Sequence, residues 1–293
     1  MISRIMTAAI DHPPSVPPAT EGGVDLAAYC GRIGYDGPLE PTFAVLAALQ
    51  QLHPAAIPFE AIDVLLGRGV DLAPGAVDAK LIGARRGGYC YEQNGLFKRV
   101  LQAIGFRVEG LIARVNWNAP PAAPLRAPSH MALRVTVDGE EFLVDVGFGT
   151  CIPTAPLLLA DRAPQPTGHE TFRFVAMGAE TQLQVLIGGE WKPVYRILPG
   201  TLLDSDYEPA NWFTATHPSS QFRQRLIVTR TAPDARHVLA GARLTIRPPG
   251  GAAEQRILDA DAIERELAER FLLPVEPDWR PVIERAARDL PDA

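Results

Sequence analysis

The spacing of apolar positions changes along this chain, and each change marks a different kind of element. Residues 11–23 hold four prolines and two glycines with no apolar period. That predicts a solvated leader over residues 1–24, with the fold beginning near Val24. From there to Ile104 the period is helical. Pro41 and Thr42 open a run with apolar Phe43, Val45, Leu46, Leu49 and Leu52, which Pro54 is expected to close. A second apolar block covers Ile57 to Leu66. A third helix is expected from near Cys90, with Leu96, Phe97, Val100, Leu101 and Ile104 as its buried stripe. Lys98, Arg99 and Gln102 turn outward, and Gly105 is its natural stop.

From Val108 the period is two. Ala132 to Val146 contains a hairpin around Asp138-Gly139, and two further strands flank Gly188-Gly189. Beyond Asn211 the character is mixed: Arg225 to Arg230, Arg236 to Leu239 and Arg243 to Ile246 read as strands. Asp261 is then expected to cap a helix carrying Ile263, Leu267 and Phe271, with Glu264 at the reciprocal capping position. Helices, then strands, then strands with a helix predict an α+β protein of three units, residues 25–104, 105–212 and 213–293. No internal repeat is present.

Composition narrows the class. A chain of 293 residues suits two or three modest domains. With 47% hydrophobic and 21% charged residues it can build a packed core, which excludes wholesale disorder. A net charge of −6 argues against a general binder of nucleic acid or anionic membrane. No apolar run reaches bilayer-spanning length, and Met1 to Ile10 has neither a proper apolar core nor a small-residue cleavage site for a signal peptide. Cys30, Cys90 and Cys151 form no Cys-x-x-Cys pair, so neither a disulfide framework nor a structural zinc site follows. A reducing, cytoplasmic compartment is expected.

The chemistry concentrates in Arg85-Arg86-Gly87-Gly88-Tyr89-Cys90-Tyr91-Glu92-Gln93-Asn94. Two glycines allow a tight turn and a helix starts directly after them. A cysteine in the first helical turn sits against unsatisfied N–H groups and the positive end of the macrodipole, both of which favour the thiolate nucleophile. Position alone leaves a second reading open, a small buried hydrophobe. Cys30 and Cys151 lack this setting and read as packing residues.

Of the six histidines, only His130 comes with a geometric argument. If Asp138-Gly139 is a two-residue loop, Val137 faces Glu140 and Ala132 faces Asp145. Leu133, Val135 and Val137 then share a buried face with Phe142, Val144 and Val146, while His130, Ala132 and Asp145 share the other, with Asp145 diagonal to His130. An imidazole oriented by a carboxylate, near a thiolate, is the nucleophile, base and orienter of a thiol triad. A surface histidine beside a strand-end aspartate is the alternative. The glycines of Val146-Gly147-Phe148-Gly149 allow close approach of a ligand, or simply end the strand with a bend. There is no Walker loop, no Gly-x-Gly-x-x-Gly after a strand and no His-Glu-x-x-His. Glu264, Glu266 and Glu269 read as a solvated helix face.

Taken in order, these segments resemble the arylamine N-acetyltransferase family. Arg86 to Asn94 is similar to its Arg-Gly-Gly-aromatic-Cys motif, Ile57-Pro58-Phe59-Glu60 to its Pro-Phe-Glu segment, and Arg32-Ile33-Gly34-Tyr35 with Gly37-Pro38 to its opening helix and turn. His130 and Val144-Asp145-Val146-Gly147-Phe148-Gly149 fit its second and third catalytic elements. Thr216-His217-Pro218-Ser219-Ser220-Gln221-Phe222 is similar to the segment entering its third domain. The likeness runs from about Asp25 to about Pro274. Two departures stand out: Ala61-Ile62 where an Asn-Leu pair is usual, and the leader before Val24.

The resemblance implies a helical bundle, a β-barrel and an α/β lid around a thiol-protease-like Cys-His-Asp core. It implies transfer of acetyl from acetyl-CoA to an arylamine, arylhydrazine or N-hydroxyarylamine by a ping-pong route, without a metal. Cys90, His130 and Asp145 carry over as the catalytic residues, Phe59 and Phe148 as acceptor-pocket positions, and Gly147 and Gly149 as the loop beside the cofactor. Arg86 matches a structural arginine. The expected partners are coenzyme A and a small acceptor, not nucleic acid or membrane, and the sequence is silent on oligomeric state. Three rivals differ in chemistry: a relative using another donor such as malonyl-CoA or closing amides, a thiol hydrolase or transglutaminase-like enzyme, and a ligand-binding module with an incidental triad.

Overall fold

The structure, a computed structural model, describes residues 23–120 and 124–289. The leader expected over residues 1–24 falls, up to residue 22, outside the described residues. The helical part comprises α1 (Leu26–Ile33), α2 (Phe43–Ala56), a short strand β1 (Phe59–Glu60), α3 (Ile62–Leu65), α4 (Pro74–Asp78) and α5 (Cys90–Ile104). A strand-rich part follows with β2 (Arg107–Val115), β3 (His130–Val137), β4 (Glu140–Val144), β5 (Leu157–Leu158), β6 (Gln165–Pro166), β7 (Thr171–Met177), β8 (Glu180–Ile187) and β9 (Glu190–Ile197). The last part holds α6 (Glu208–Thr216), α7 (Gln221–Gln224), β10 (Ile227–Thr231), β11 (Arg236–Ala240), β12 (Arg243–Arg247), β13 (Glu254–Ile257), α8 (Ala260–Glu269) and α9 (Arg280–Arg288).

Strands β2–β9 form one antiparallel sheet in the order β5-β4-β3-β2-β9-β8-β7-β6, nearly closed as a barrel. Its two edges are joined by a side chain. Gln165 on β6 accepts from the Leu158 N–H at 2.8 Å and donates to the Leu158 carbonyl at 3.0 Å, occupying edge groups that strand pairing would otherwise use. The hairpin has the expected register: Val137 faces Glu140 and Leu133 faces Val144, with Asp138 and Gly139 at positive φ as a two-residue turn requires. Both its faces are buried. Leu133, Val135, Val137, Phe142 and Val144 pack beneath α5 and its neighbouring helices, while Ala132 and Leu143 enter the barrel core with Leu111, Phe172 and Tyr195.

Several local expectations are corrected. Pro54 does not close α2, which continues to Ala56 with the Ile57 N–H on the His53 carbonyl at 2.8 Å. A proline in the last turn removes only its own donor, and the residues after it still bond backwards. The cap of α8 is Asp259, whose carboxylate accepts from the Ala262 N–H at 2.8 Å. Asp261 lies in the first turn, where a negative charge suits the dipole, and Glu264 pairs with Arg280 at 2.8 Å rather than reaching back. Strand β7 and helices α6 and α9 were not legible in the apolar spacing. Strand β1 leaves the helical part altogether: Phe59 and Glu60 pair with Thr229 and Val228, extending the second sheet to β1-β10-β11-β12-β13.

A buried polar chain fixes the base of the helical part. Gln93 donates through Nε2 to the Pro58 carbonyl at 2.8 Å and the Gly88 carbonyl at 3.2 Å, so its Oε1 is the acceptor for His53 Nε2 at 2.6 Å. Nδ1 of His53 then accepts from the Tyr29 hydroxyl at 2.8 Å. Burial pushes His53 down to about 4, against a smaller upward pull from its bond to Gln93, so it is neutral at pH 7.

Two predictions follow from these contacts. The unfolded chain protonates His53 near 6.5, whereas the folded chain resists down to about 4. The His53 contribution is therefore intact above pH 6.5 and is lost as pH falls towards 4, by about 3 kcal/mol in all. Urea melts across this range should decline less steeply for His53→Gln than for the wild type, even though the variant starts lower at pH 7. Gln165→Leu should cost about 1–3 kcal/mol through the two unpaired edge groups; a urea midpoint equal to the wild type would contradict the seam.

Candidate active site

The position of Cys90 is set by a crossing of backbones. Pro58, Phe59 and Glu60 run alongside Gly87 and Gly88, with the Glu60 N–H on the Gly88 carbonyl at 3.1 Å. A Cβ on Gly87 would fall 2.2 Å from the Pro58 carbonyl oxygen, so only glycine permits this approach. Arg86 beside it is buried, holds Glu60 through Nη2 at 2.8 Å and lies over the Trp279 ring at 4.7 Å. It braces the loop from below and stays out of the cleft. Helix α5 then starts at Cys90. Glu92, three residues past the cap Tyr89, turns back to accept the Tyr89 N–H at 3.0 Å.

Cys90 is 5% exposed and sits against Ser129 and His130, with Sγ 3.8 Å from the Ser129 carbonyl. His130 Nε2 meets Asp145 Oδ2 at 2.7 Å, which leaves Nδ1 as the ring nitrogen not engaged by the carboxylate. Asp145 is fully buried and accepts from four directions. Oδ2 also takes the Tyr195 hydroxyl at 3.0 Å, and Oδ1 takes Asn94 Nδ2 at 3.0 Å and the Gly147 N–H at 2.9 Å. Burial alone would lower the His130 imidazole, but the adjacent Asp145 charge, the bond to Asp145 and the neighbouring Cys90 outweigh it and push it up to about 10. Burial likewise opposes ionisation of Asp145, and the His130 charge with these donors holds it below the usual carboxylate range. The pair is an imidazolium and a carboxylate at neutral pH.

Asn94 and Tyr195 were missed by sequence reasoning. Asn94 stands one turn after Cys90 on the same side of α5. Its amide donates to Asp145 and the Met131 carbonyl (2.7 Å), while its oxygen accepts the Val146 N–H at 3.0 Å. A polar side chain one turn from the cysteine was the available signal. Tyr195 had none, because β2 must first pair with both β3 and β9 to bring it over His130, where the ring centroids are 4.8 Å apart.

The cysteine and histidine open onto a cleft of about 750 Å³. Phe59, Phe148 and Gly147 line it, together with Trp117, Phe213 and Phe222. A Cβ on Gly147 would meet the Cys90 Cα at 2.8 Å, so this glycine lets the strand end touch the helix that carries Cys90. Gly149 lies one step away from the cleft, against Phe59 and Thr229. Ala61 and Ile62, where the sequence departs from the usual pair, are both buried.

A family model described as N-acetyltransferase matches residues 42–280. The arylamine N-acetyltransferase of Mycobacterium tuberculosis is 42% identical over 251 residues, which cover 85% of this chain and 89% of that protein. The chain belongs to the arylamine N-acetyltransferase family. It is an acetyltransferase of that family by sequence and by fold. The solved structure of the Mycobacterium marinum arylamine N-acetyltransferase in complex with CoA superposes with a TM-score of 0.85 at 41% identity, covering 90% of this chain and 98% of that one. An arylamine N-acetyltransferase / N-hydroxyarylamine O-acetyltransferase of Salmonella typhimurium is 38% identical over 237 residues, 80% of this chain and 84% of the relative. No helix among the described residues is long and apolar enough to cross a membrane.

The geometry of this acetyltransferase's carboxylate predicts its effect on the histidine. Asp145→Asn removes the charge that holds His130 up, so its titration midpoint, followed by NMR of the ring protons, should fall from about 10 by more than a unit. A midpoint unmoved by the change would contradict this account of the pair.

Proposed function

We propose that this enzyme moves acetyl from acetyl-CoA to arylamines, arylhydrazines or N-hydroxyarylamines by a ping-pong route through an acetyl group carried on Cys90. The observation that carries the reading is the His130–Asp145 pair at 2.7 Å, opening onto the same cleft as Cys90 in a chain of this family. The CoA-bound M. marinum relative supports the donor, and the arylamine N-acetyltransferase and N-hydroxyarylamine O-acetyltransferase activities named for the S. typhimurium relative support arylamine and N-hydroxyarylamine acceptors.

In the first half-reaction the Cys90 sulfur, facing an imidazolium, attacks the thioester carbonyl, and His130 supplies the proton that leaves with the CoA thiol. One thioester replaces another, so the group is stored at little cost. In the second half-reaction the neutral amine attacks the acetyl carbonyl, the C–S bond breaks to return the Cys90 thiolate, and His130 takes the amine's proton while Asp145 stabilises the imidazolium again. The N–H groups at the start of α5 have no intrahelical partner by geometry and are available to the developing oxyanion. Phe59 and Phe148 offer aromatic faces to an acceptor ring, and Gly147 keeps the strand end narrow beside the donor, with Gly149 one step behind it. Residues 25–104, 105–212 and 213–293 act as bundle, barrel and lid, the lid limiting water at the acyl-enzyme stage. The sparse free cysteines suit a cytoplasmic setting.

Initial rates at several acceptor concentrations should give parallel double-reciprocal lines against acetyl-CoA, with Cys90→Ala inactive; intersecting lines, or turnover without the thiol, would contradict the route. Because His130 must keep its proton for the leaving thiol, the rate of Cys90 acetylation should hold from pH 7 upward and fall only as pH approaches about 10. A decline centred near 6.5 would mean that Asp145 does not hold the imidazole protonated.

A further inference from the structure

The cleft changes chemistry along its length. Its buried end carries Cys90 and His130 among aromatic rings, whereas Arg126 and Arg225 line its exposed end. No aspartate or glutamate is among the cleft's lining residues. In a chain with 34 acidic and 28 basic residues, that is a local reversal of the overall charge. Among the described residues neither arginine enters a salt bridge, unlike the nearby Arg114, which is paired with Glu180 at 3.2 Å. Both are nonetheless held in place. The Arg126 carbonyl accepts from Arg114 Nη1 at 2.8 Å, and the Arg225 N–H donates to the Gln221 carbonyl at 2.9 Å while its Nη2 reaches the Ala240 carbonyl at 3.4 Å. One arginine stands on the connection between β2 and β3, the other at the end of α7. They come from different parts of the chain to one opening.

We propose that Arg126 and Arg225 form an anion clamp at the cleft mouth that holds the phosphate groups of the acyl donor. This rests on the reading of acetyl-CoA as donor. CoA carries its phosphates at the opposite end from the thioester, so a thioester carbon delivered to buried Cys90 leaves those phosphates towards the open end. Guanidinium groups present paired donors that match phosphate oxygens, and charges uncommitted to carboxylates can meet them without breaking a pair. A carboxylate on the acceptor is the other source of a suitable anion. A small arylamine, however, must bring its nitrogen to the acetyl on Cys90, which keeps its substituents among the rings of the buried end.

The test measures Cys90 acetylation by intact mass against donor concentration, for wild type, Arg126→Ala, Arg225→Ala and the double variant. Each uses acetyl-CoA and S-acetyl-N-acetylcysteamine, the same thioester without phosphates. The half-saturating acetyl-CoA concentration should rise about three- to tenfold in each single variant and further in the double variant, with the maximal rate unchanged. The short thioester should be unaffected, and added salt should weaken acetyl-CoA use more in the wild type than in the double variant. Equal losses with both thioesters would reduce the arginines to a structural role and overturn the clamp. So would unchanged acetyl-CoA saturation; if turnover of 4-aminobenzoate, but not of a neutral arylamine, then falls in the variants, the anion belongs to the acceptor. A wild type that takes no acetyl from acetyl-CoA would overturn the donor reading itself, before any arginine is changed.

Discussion

A carboxylate buried without solvent must find its hydrogen bonds within the protein, and the site is built around that requirement at Asp145. Its four donors come from separate places: His130 on β3, Tyr195 on β9, Asn94 on α5 and the Gly147 N–H just past β4. Satisfying one side chain therefore fixes the barrel, the helix that carries Cys90 and the strand end relative to each other. The cost of burying the charge is offset by the positive imidazole it faces, and the same contact holds that imidazole protonated. Position and charge state thus have a common origin.

Close backbone approach supplies the second condition. Gly87 lets the Pro58–Glu60 segment lie against the loop before Cys90, and Gly147 lets the strand end reach the first turn of α5. Gln93 bonds both the Pro58 and Gly88 carbonyls, and neutral His53 and Tyr29 support it in turn. The first helical turn is thus held from below by amide and imidazole, and from the side by Asn94. Arg86, buried against Glu60 and the face of Trp279, joins this base to the last part of the chain, where β1 already extends the second sheet.

Features governed by local rules were legible in the sequence. The glycine-rich turn before a helical stripe located Cys90 at the start of α5, and a two-residue Asp-Gly loop with alternating faces gave the hairpin register that sets His130 beside Asp145. The resemblance to the family then supplied what local rules could not, the meeting of the helix with the hairpin. Features that need contacts between distant elements stayed hidden. Tyr195 reaches the site only through two strand pairings, and β1 is a two-residue strand whose partner lies far along the chain. The cap of α8 was expected at Asp261 but is Asp259, because the backbone entering the helix decides which side chain meets the free N–H.

The central claim is that Cys90 carries the acetyl group between donor and acceptor. Intact-protein mass spectrometry after incubation with acetyl-CoA and no acceptor tests it most directly. One added acetyl group is expected, absent in Cys90→Ala and discharged when an arylamine or arylhydrazine is added. An unmodified wild-type chain, or an acetyl group that persists in the Cys90→Ala variant, would contradict it.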